Sequence, residues 1–154
     1  MNGNLTAKTY LRQYLDAERT VKIKLEEIRR LEEILTQTTQ ALGGTPVQSS
    51  PSDNMGIGIA RLIDARNEAN EAIDKMVDLK NDIKSVISNL PDKKMSDLLY
   101  ERYILGKTFE QIAVDMNYTY RNICYLHGKA LKLYISHNFI VFHIYIMLEY
   151  ILKK

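Results

Sequence analysis

The residues best suited to chemistry fall close together in the last third of the chain. Between positions 119 and 132 come Thr119, Tyr120, Arg121, Asn122, Tyr125, Lys129 and Lys132. A guanidinium donates two parallel bonds to a guanine edge, and a carboxamide pairs in the same way with adenine. Ammonium groups suit phosphates, which fix register without reading sequence. No Asp or Glu occurs between Asp115 and Glu149, and that gap holds Arg121, Lys129, Lys132, His127, His137 and His143. An acid-free basic segment in a chain of net charge +2 is the asymmetry expected of a polyanion-binding face. Plainer readings stand beside this one: Arg121 as a solvated cation, Tyr120 and Tyr125 as packing residues.

Other chemistry finds less material. Cys124 and His127 lie three apart, which puts two metal ligands on one helix face. A structural zinc site takes four, and no second pair has suitable spacing. Packing is the simpler role for both. There is no phosphate-cradling glycine loop, nucleophile elbow or metal-hydrolase motif. Acid pairs such as Glu26 with Glu27 alternate with bases and read as solvated faces. The expectation is no catalysis, no metal and no cofactor. A single cysteine excludes an intrachain disulfide and fits a reducing cytoplasm. The opening MNGNLTAKTY lacks the charged start and apolar run of a secretory signal.

The local elements that must position the basic residues are legible. Thr108 and Gln111 have capping-box spacing, so a short helix is expected from Phe109 to about Met116. Asn117 follows, a residue type that tolerates a left-handed turn. Thr119 then caps a second helix that carries Arg121 early. Ile112, Met116 and Tyr118 face Ile123, Leu126 and Ala130 across the turn, and Ala113 is small where crossing helices approach. Short helix, tight turn and capped second helix make helix-turn-helix spacing; a generic helical hairpin is the competing reading. Lys107, Thr108, Lys129 and Lys132, with the amides opening the Phe109 helix, would hold phosphates. Upstream, Leu90-Pro91-Asp92 ends one helix and caps the next. That helix carries Met95, Leu98, Leu99, Arg102, Tyr103 and Ile104 and stops at Gly106.

Further upstream the pattern changes to long repeats. Thr6 to Leu42 contains no Gly or Pro, and Tyr14, Val21, Ile28, Leu35 and Leu42 recur every seven residues. Leu11 and Leu25 add an offset row. Glu32 and Lys24 dilute the seam, while Glu18 with Lys22 and Glu26 with Arg30 are favourable i,i+4 pairs. Gly43 to Gly56 is rich in Gly, Pro, Ser and Asn and reads as a loop. A second helix is expected from Ile57 to Leu90. Leu62, Ala69, Met76, Ile83 and Leu90 keep the seven-residue spacing, with Ala65, Ala72, Leu79 and Val86 in parallel. Two such helices joined by one loop suggest an antiparallel hairpin. A bare pair buries little, so it packs either on the C-terminal module or on a second copy. The tail, Leu133 to Leu152, is mostly apolar. Its length suits a bilayer crossing, but Ser136, His137, Asn138, His143 and Glu149 interrupt it. A strand, and a helix packed on the hairpin or a second subunit, are the other readings.

The segment LLYERYILGKTFEQIAVDMNYTYRNICYLHGKAL resembles phage and prophage proteins related to region 4 of sigma-70-type factors, close to the ArpU/RinA-like late transcription regulators. The resemblance rests on Glu101-Arg102-Tyr103, Thr108 to Ala113 and His127 to Leu131. It extends to AKTYLRQ and KMVDLKNDI, covering roughly residues 6 to 133. The chain departs from that group at Asn117, where glycine is usual, and at Tyr125, where a basic residue is common. The resemblance implies a phage-encoded regulator in a bacterial cytoplasm that binds double-stranded promoter DNA and contacts host RNA polymerase. A phage small terminase subunit, which also joins a helix-turn-helix to oligomerising helices, is the alternative. The expected fold is all-α. It comprises a helical hairpin over 5–90 with its loop at 43–56, a sigma region 4-like helix-turn-helix module over 91–133, and an apolar tail over 134–154. A homodimer through the hairpin is one expected partnership; a membrane partner is disfavoured but left open by the tail.

Overall fold

The computed structural model describes residues 3–42, 52–137 and 147–148. The chain is all-α. Its helices are α1 (Gly3–Leu42), α2 (Ser52–Ser88), α3 (Lys93–Tyr103), α4 (Phe109–Asp115) and α5 (Tyr120–His137), with no strand among the described residues.

The two long helices follow from long stretches without proline and from apolar residues at helical spacing. Helix α2 begins at Ser52, inside the stretch 43–56 expected to be loop. Ser, Asp and Asn favour helix starts, and Gly56 and Gly58 do not stop the helix that follows. An interior glycine costs about 1 kcal/mol relative to alanine. At Gly58 the backbone lies close to α1: a Cβ there would fall 2.7 Å from Cδ2 of Leu35, whose side chain would have to shift. Helix α2 ends at Ser88, two residues before the expected Leu90. Asn89 N–H still bonds Ser85 O at 3.2 Å and Leu90 N–H bonds Ile87 O at 3.2 Å, so the last turn tightens before Pro91.

The chain divides into two compact units, one of Met1–Asp16 with Asp78–Lys154, the other of Ala17–Val77. Within the second, α1 and α2 run antiparallel. Lys24 meets Glu68 at 2.6 Å, Arg66 meets Glu32 at 2.6 Å, and Leu35 reaches Gly58. Lys24 and Glu32, which interrupt the apolar seam in sequence, therefore tie the two helices together. Val21 and Ala69 are buried, while Ile28, Leu31, Leu35, Leu62, Ala65, Ala72 and Met76 are half-buried. Leu25 corrects the offset row expected from Leu11. Leu11 is fully buried in its own unit, but Leu25 is 48% exposed. The seam beside Val21 and Ile28 runs through Lys24 and Leu31, leaving Leu25 on the outer edge. The expected i,i+4 pairs form, Glu18 with Lys22 at 3.3 Å and Glu26 with Arg30 at 3.2 Å; such exposed pairs contribute little.

The first unit has a dense core. Ala7, Leu11 and Tyr14 from α1, and Ile83 and Ile87 from α2, are buried in it. Helices α3, α4 and α5 pack on one another and bury Leu98, Leu99, Tyr103, Ile112, Ile123, Ala130 and Leu131. Asp92 caps α3, its carboxylate accepting from Met95 N–H at 3.2 Å. Ser96 Oγ donates to Ile87 O at 2.9 Å and links α3 to the end of α2. Helix α3 closes near Gly106, whose φ of 68° is the left-handed conformation that glycine adopts without a Cβ penalty. The first residues of the expected tail, 134–137, continue α5, and Tyr134 is buried. The rest of that expectation, residues 138–146 and 149–154, lies outside the described residues. Among the described residues no helix is long and apolar enough to cross a membrane.

Candidate nucleic-acid interface

The capping box at α4 is complete. Thr108 Oγ1 accepts from Gln111 N–H at 3.3 Å, and Thr108 N–H donates to Gln111 Oε1 at 2.8 Å. The far end of α4 closes in a Schellman motif. Asn117 holds φ at 61°, its N–H bonds Val114 O at 3.1 Å, and Tyr118 N–H bonds Ala113 O at 2.8 Å. Thr119 Oγ1 then accepts from Asn122 N–H at 3.3 Å and starts α5. Each end has its own hydrogen-bonding partner, so α4 and α5 are two rods rather than one. Ile112, Ile123 and Ala130 are fully buried between the helices and Ala113 nearly so. Met116, Tyr118 and Leu126 are half-buried beside them.

A polar pin sits behind α5. His127 Nε2 and the Tyr103 hydroxyl are 2.9 Å apart, and the Phe109 ring meets the imidazole edge-on at 4.9 Å. Burial lowers the His127 pKa to about 4, and the charges of Lys8 and Arg102 add to the effect. Burial likewise pushes the Tyr103 phenol up to about 12. The imidazole is therefore neutral at physiological pH, and the bond fixes α5 to α3 without a charge. Arg102 completes this layer, with Nη1 donating to Lys107 O at 2.6 Å and the guanidinium 4.8 Å over the Phe109 ring. His127 is thus engaged in packing, and Cys124 is half-buried beside it. Among the described residues no group of three or more His, Cys, Asp or Glu is arranged to hold a metal.

The opposite face of α5 carries the basic residues. Arg121, Tyr125, Lys129 and Lys132 are exposed and recur at helical spacing, forming one stripe. Tyr125 is 59% exposed, and the Lys129 ammonium lies 4.7 Å over its ring. Thr119 and Tyr120 are exposed beside Arg121, and Asn122 is half-buried. A hydrogen bond with the Cys124 thiol raises the Tyr120 phenol pKa. Gly128 lies within the stripe, and a Cβ there would meet nothing within 4 Å. The α5 backbone is thus open to close approach at that point.

Two of the expected phosphate holders are differently placed. The half-buried Lys107 has its ammonium 2.8 Å from Asp115 and 3.5 Å from Glu101. Its pKa is raised, chiefly by the bond to Asp115. Thr108 is occupied in its capping box. Lys129 and Lys132 instead border an open groove with Asp92, Met95, Leu133 and Ser136, and Lys93 stands on the same rim, its ammonium 3.5 Å from Asp97 in an exposed pair. Sequence reasoning missed Lys93. It is 36 residues from Lys129, and no local spacing links the two; the packing of α3 on α5 brings them to one groove.

Comparison of the chain with family models, with curated proteins and with solved structures found no match to any of them.

Proposed function

We propose that this chain is a sequence-specific DNA-binding transcription regulator of phage or prophage origin, acting in the bacterial cytoplasm with α5 in the major groove of promoter DNA. One observation carries the reading. A capped α4, a Schellman turn and a capped α5 leave Arg121 exposed at the start of the second helix, on an acid-free basic stripe. That is the arrangement by which a helix-turn-helix offers base-reading side chains. Arg121 reads a guanine edge and Asn122 an adenine, with Thr119, Tyr120 and Tyr125 as neighbouring contacts. Lys129, Lys132 and the added Lys93 neutralise phosphates. The resemblance of roughly residues 6 to 133 to sigma region 4-like regulators supplies the phage origin and host RNA polymerase as a second partner.

The test is selection of bound sites from random duplexes, followed by titration. Arg121→Ala is expected to cost roughly 1–3 kcal/mol of specific binding and to relax one base position. Lys129→Ala is expected to weaken all sequences alike and to lower the salt slope by about 1. Unchanged affinity and an unchanged selected site in both variants overturn the reading.

A further inference from the structure

The hairpin unit leaves an ordered set of apolar side chains uncovered. On α2, Ile59, Ile63, Arg66, Asn70, Ile73 and Val77 are spaced four, three, four, three and four apart. That spacing holds them within about 80° of the helix circumference. Ile59 is 45% exposed, Ile63 52% and Val77 43%. Arg66 and Asn70 are exposed, and Ile73 is half-buried. The row lies beside the residues that meet α1, namely Leu62, Ala69 and Met76. Helix α2 thus has an apolar arc wide enough for two neighbouring helices, as in a four-helix bundle, and α1 covers one side of it.

The order of residues in the row identifies its occupant. Read from either end about a point near position 68, it matches itself: Ile59 falls opposite Val77, Ile63 opposite Ile73, and Arg66 opposite Asn70. An isologous contact about a two-fold axis needs this self-complementarity. The polar pair is the discriminating one. A parallel second copy in register would set Arg66 against Arg66, a like-charge contact. An antiparallel copy sets each guanidinium against a carboxamide oxygen. Arg66 donates one N–H to Glu32 at 2.6 Å, and the guanidinium has further donors for Asn70. A polar residue within an apolar seam also fixes register against slippage.

We infer that the outer row of α2 is a homodimer interface in which two copies pack antiparallel across Ile59, Ile63, Arg66, Asn70, Ile73 and Val77. The dimer is a property of the hairpin and does not rest on the reading of α5 as a DNA-binding helix.

The experiment uses the full chain in a Cys124→Ser background, with Ile63→Cys and Ile73→Cys made separately. After subunit exchange and mild oxidation, a disulfide-linked dimer is expected when the two proteins are mixed and not from either alone. Linkage by each protein alone overturns the antiparallel register. Sedimentation of the unmodified chain as a monomer, or as a ring of many copies, overturns the interface. Ile63→Glu places a carboxylate against the apolar side chains of the second copy and draws Arg66, three residues on, away from Asn70; it is expected to raise the dimer dissociation constant on the order of 100-fold, with helical content by circular dichroism unchanged. Ile34→Glu, at a somewhat more exposed position (59%) on α1 but off the seam, is expected to leave the dimer intact; loss of dimer there would show generic apolar adhesion instead.

Discussion

The two compact units are built from the same kinds of helix, yet they use their apolar residues in opposite ways. The unit containing α3, α4 and α5 buries Leu98, Leu99, Tyr103, Ile112, Ile123 and Ala130 almost completely. In the hairpin unit, Val21 and Ala69 are the buried apolar side chains among the described residues. Ile23, Leu25, Ile34, Ile57, Ile59, Ile63 and Val77 remain exposed there. Helices that cross, joined by short turns, close around a core. Two long helices lying side by side expose most of their circumference, however apolar their sequence. A finished core holds α5 in place, whereas the hairpin leaves apolar side chains in contact with solvent.

The contrast can be broken first by truncation. Leu98→Ala, at a fully buried position, is expected to cost about 2–5 kcal/mol in urea unfolding. Leu31→Ala, half-buried in the hairpin seam, is expected to cost about 1 kcal/mol. Equal costs would erase the distinction.

Acid sharpens the contrast. The folded His127 imidazole holds its pKa near 4, below the unfolded value of about 6.5. The unfolded chain therefore takes up a proton first, and stability present above pH 6.5 falls as pH drops toward 4. The loss is about 3 kcal/mol over that window, read as a falling urea midpoint that flattens in His127→Phe. In the hairpin, hydrogen bonds from Arg29 and Arg30 hold the Glu26 carboxyl down to about 2. Its ion pairs persist across the same window.

The smallest effect concerns α4. Thr108→Ala removes the acceptor for Gln111 N–H and is expected to lower stability by about 1 kcal/mol, without changing the oligomeric state. Thermal unfolding and sedimentation of the same sample check both halves.

The division also explains what could be read from the chain. Features set within a few residues were legible: the Thr108–Gln111 box, the Asp92 cap, the left-handed Asn117, and the Thr119 start of α5. Each is decided by side-chain atoms reaching their own backbone. Features set across long separations were not. The partners of Lys24 and Glu32 are 44 and 34 residues away, and the Tyr103 partner of His127 is 24 away. Lys107 read as a phosphate holder because its two carboxylates, Glu101 and Asp115, lie on different helices. The start of α2 was misread for a related reason. Glycines signal a break locally, and the close neighbour that accommodates Gly58 is Leu35, on the other long helix.

Gly58 has a consequence for how firmly the hairpin is aligned. The missing methyl makes a notch in one rod, and the Leu35 side chain sits in it like a key. Sliding α2 by one position in either direction would bring Ile57 or Ile59 to that spot, and the Leu35 side chain would have to swing aside to admit it. One hydrogen atom thus acts as an index mark, favouring one alignment of α2 along α1 over its nearest alternatives.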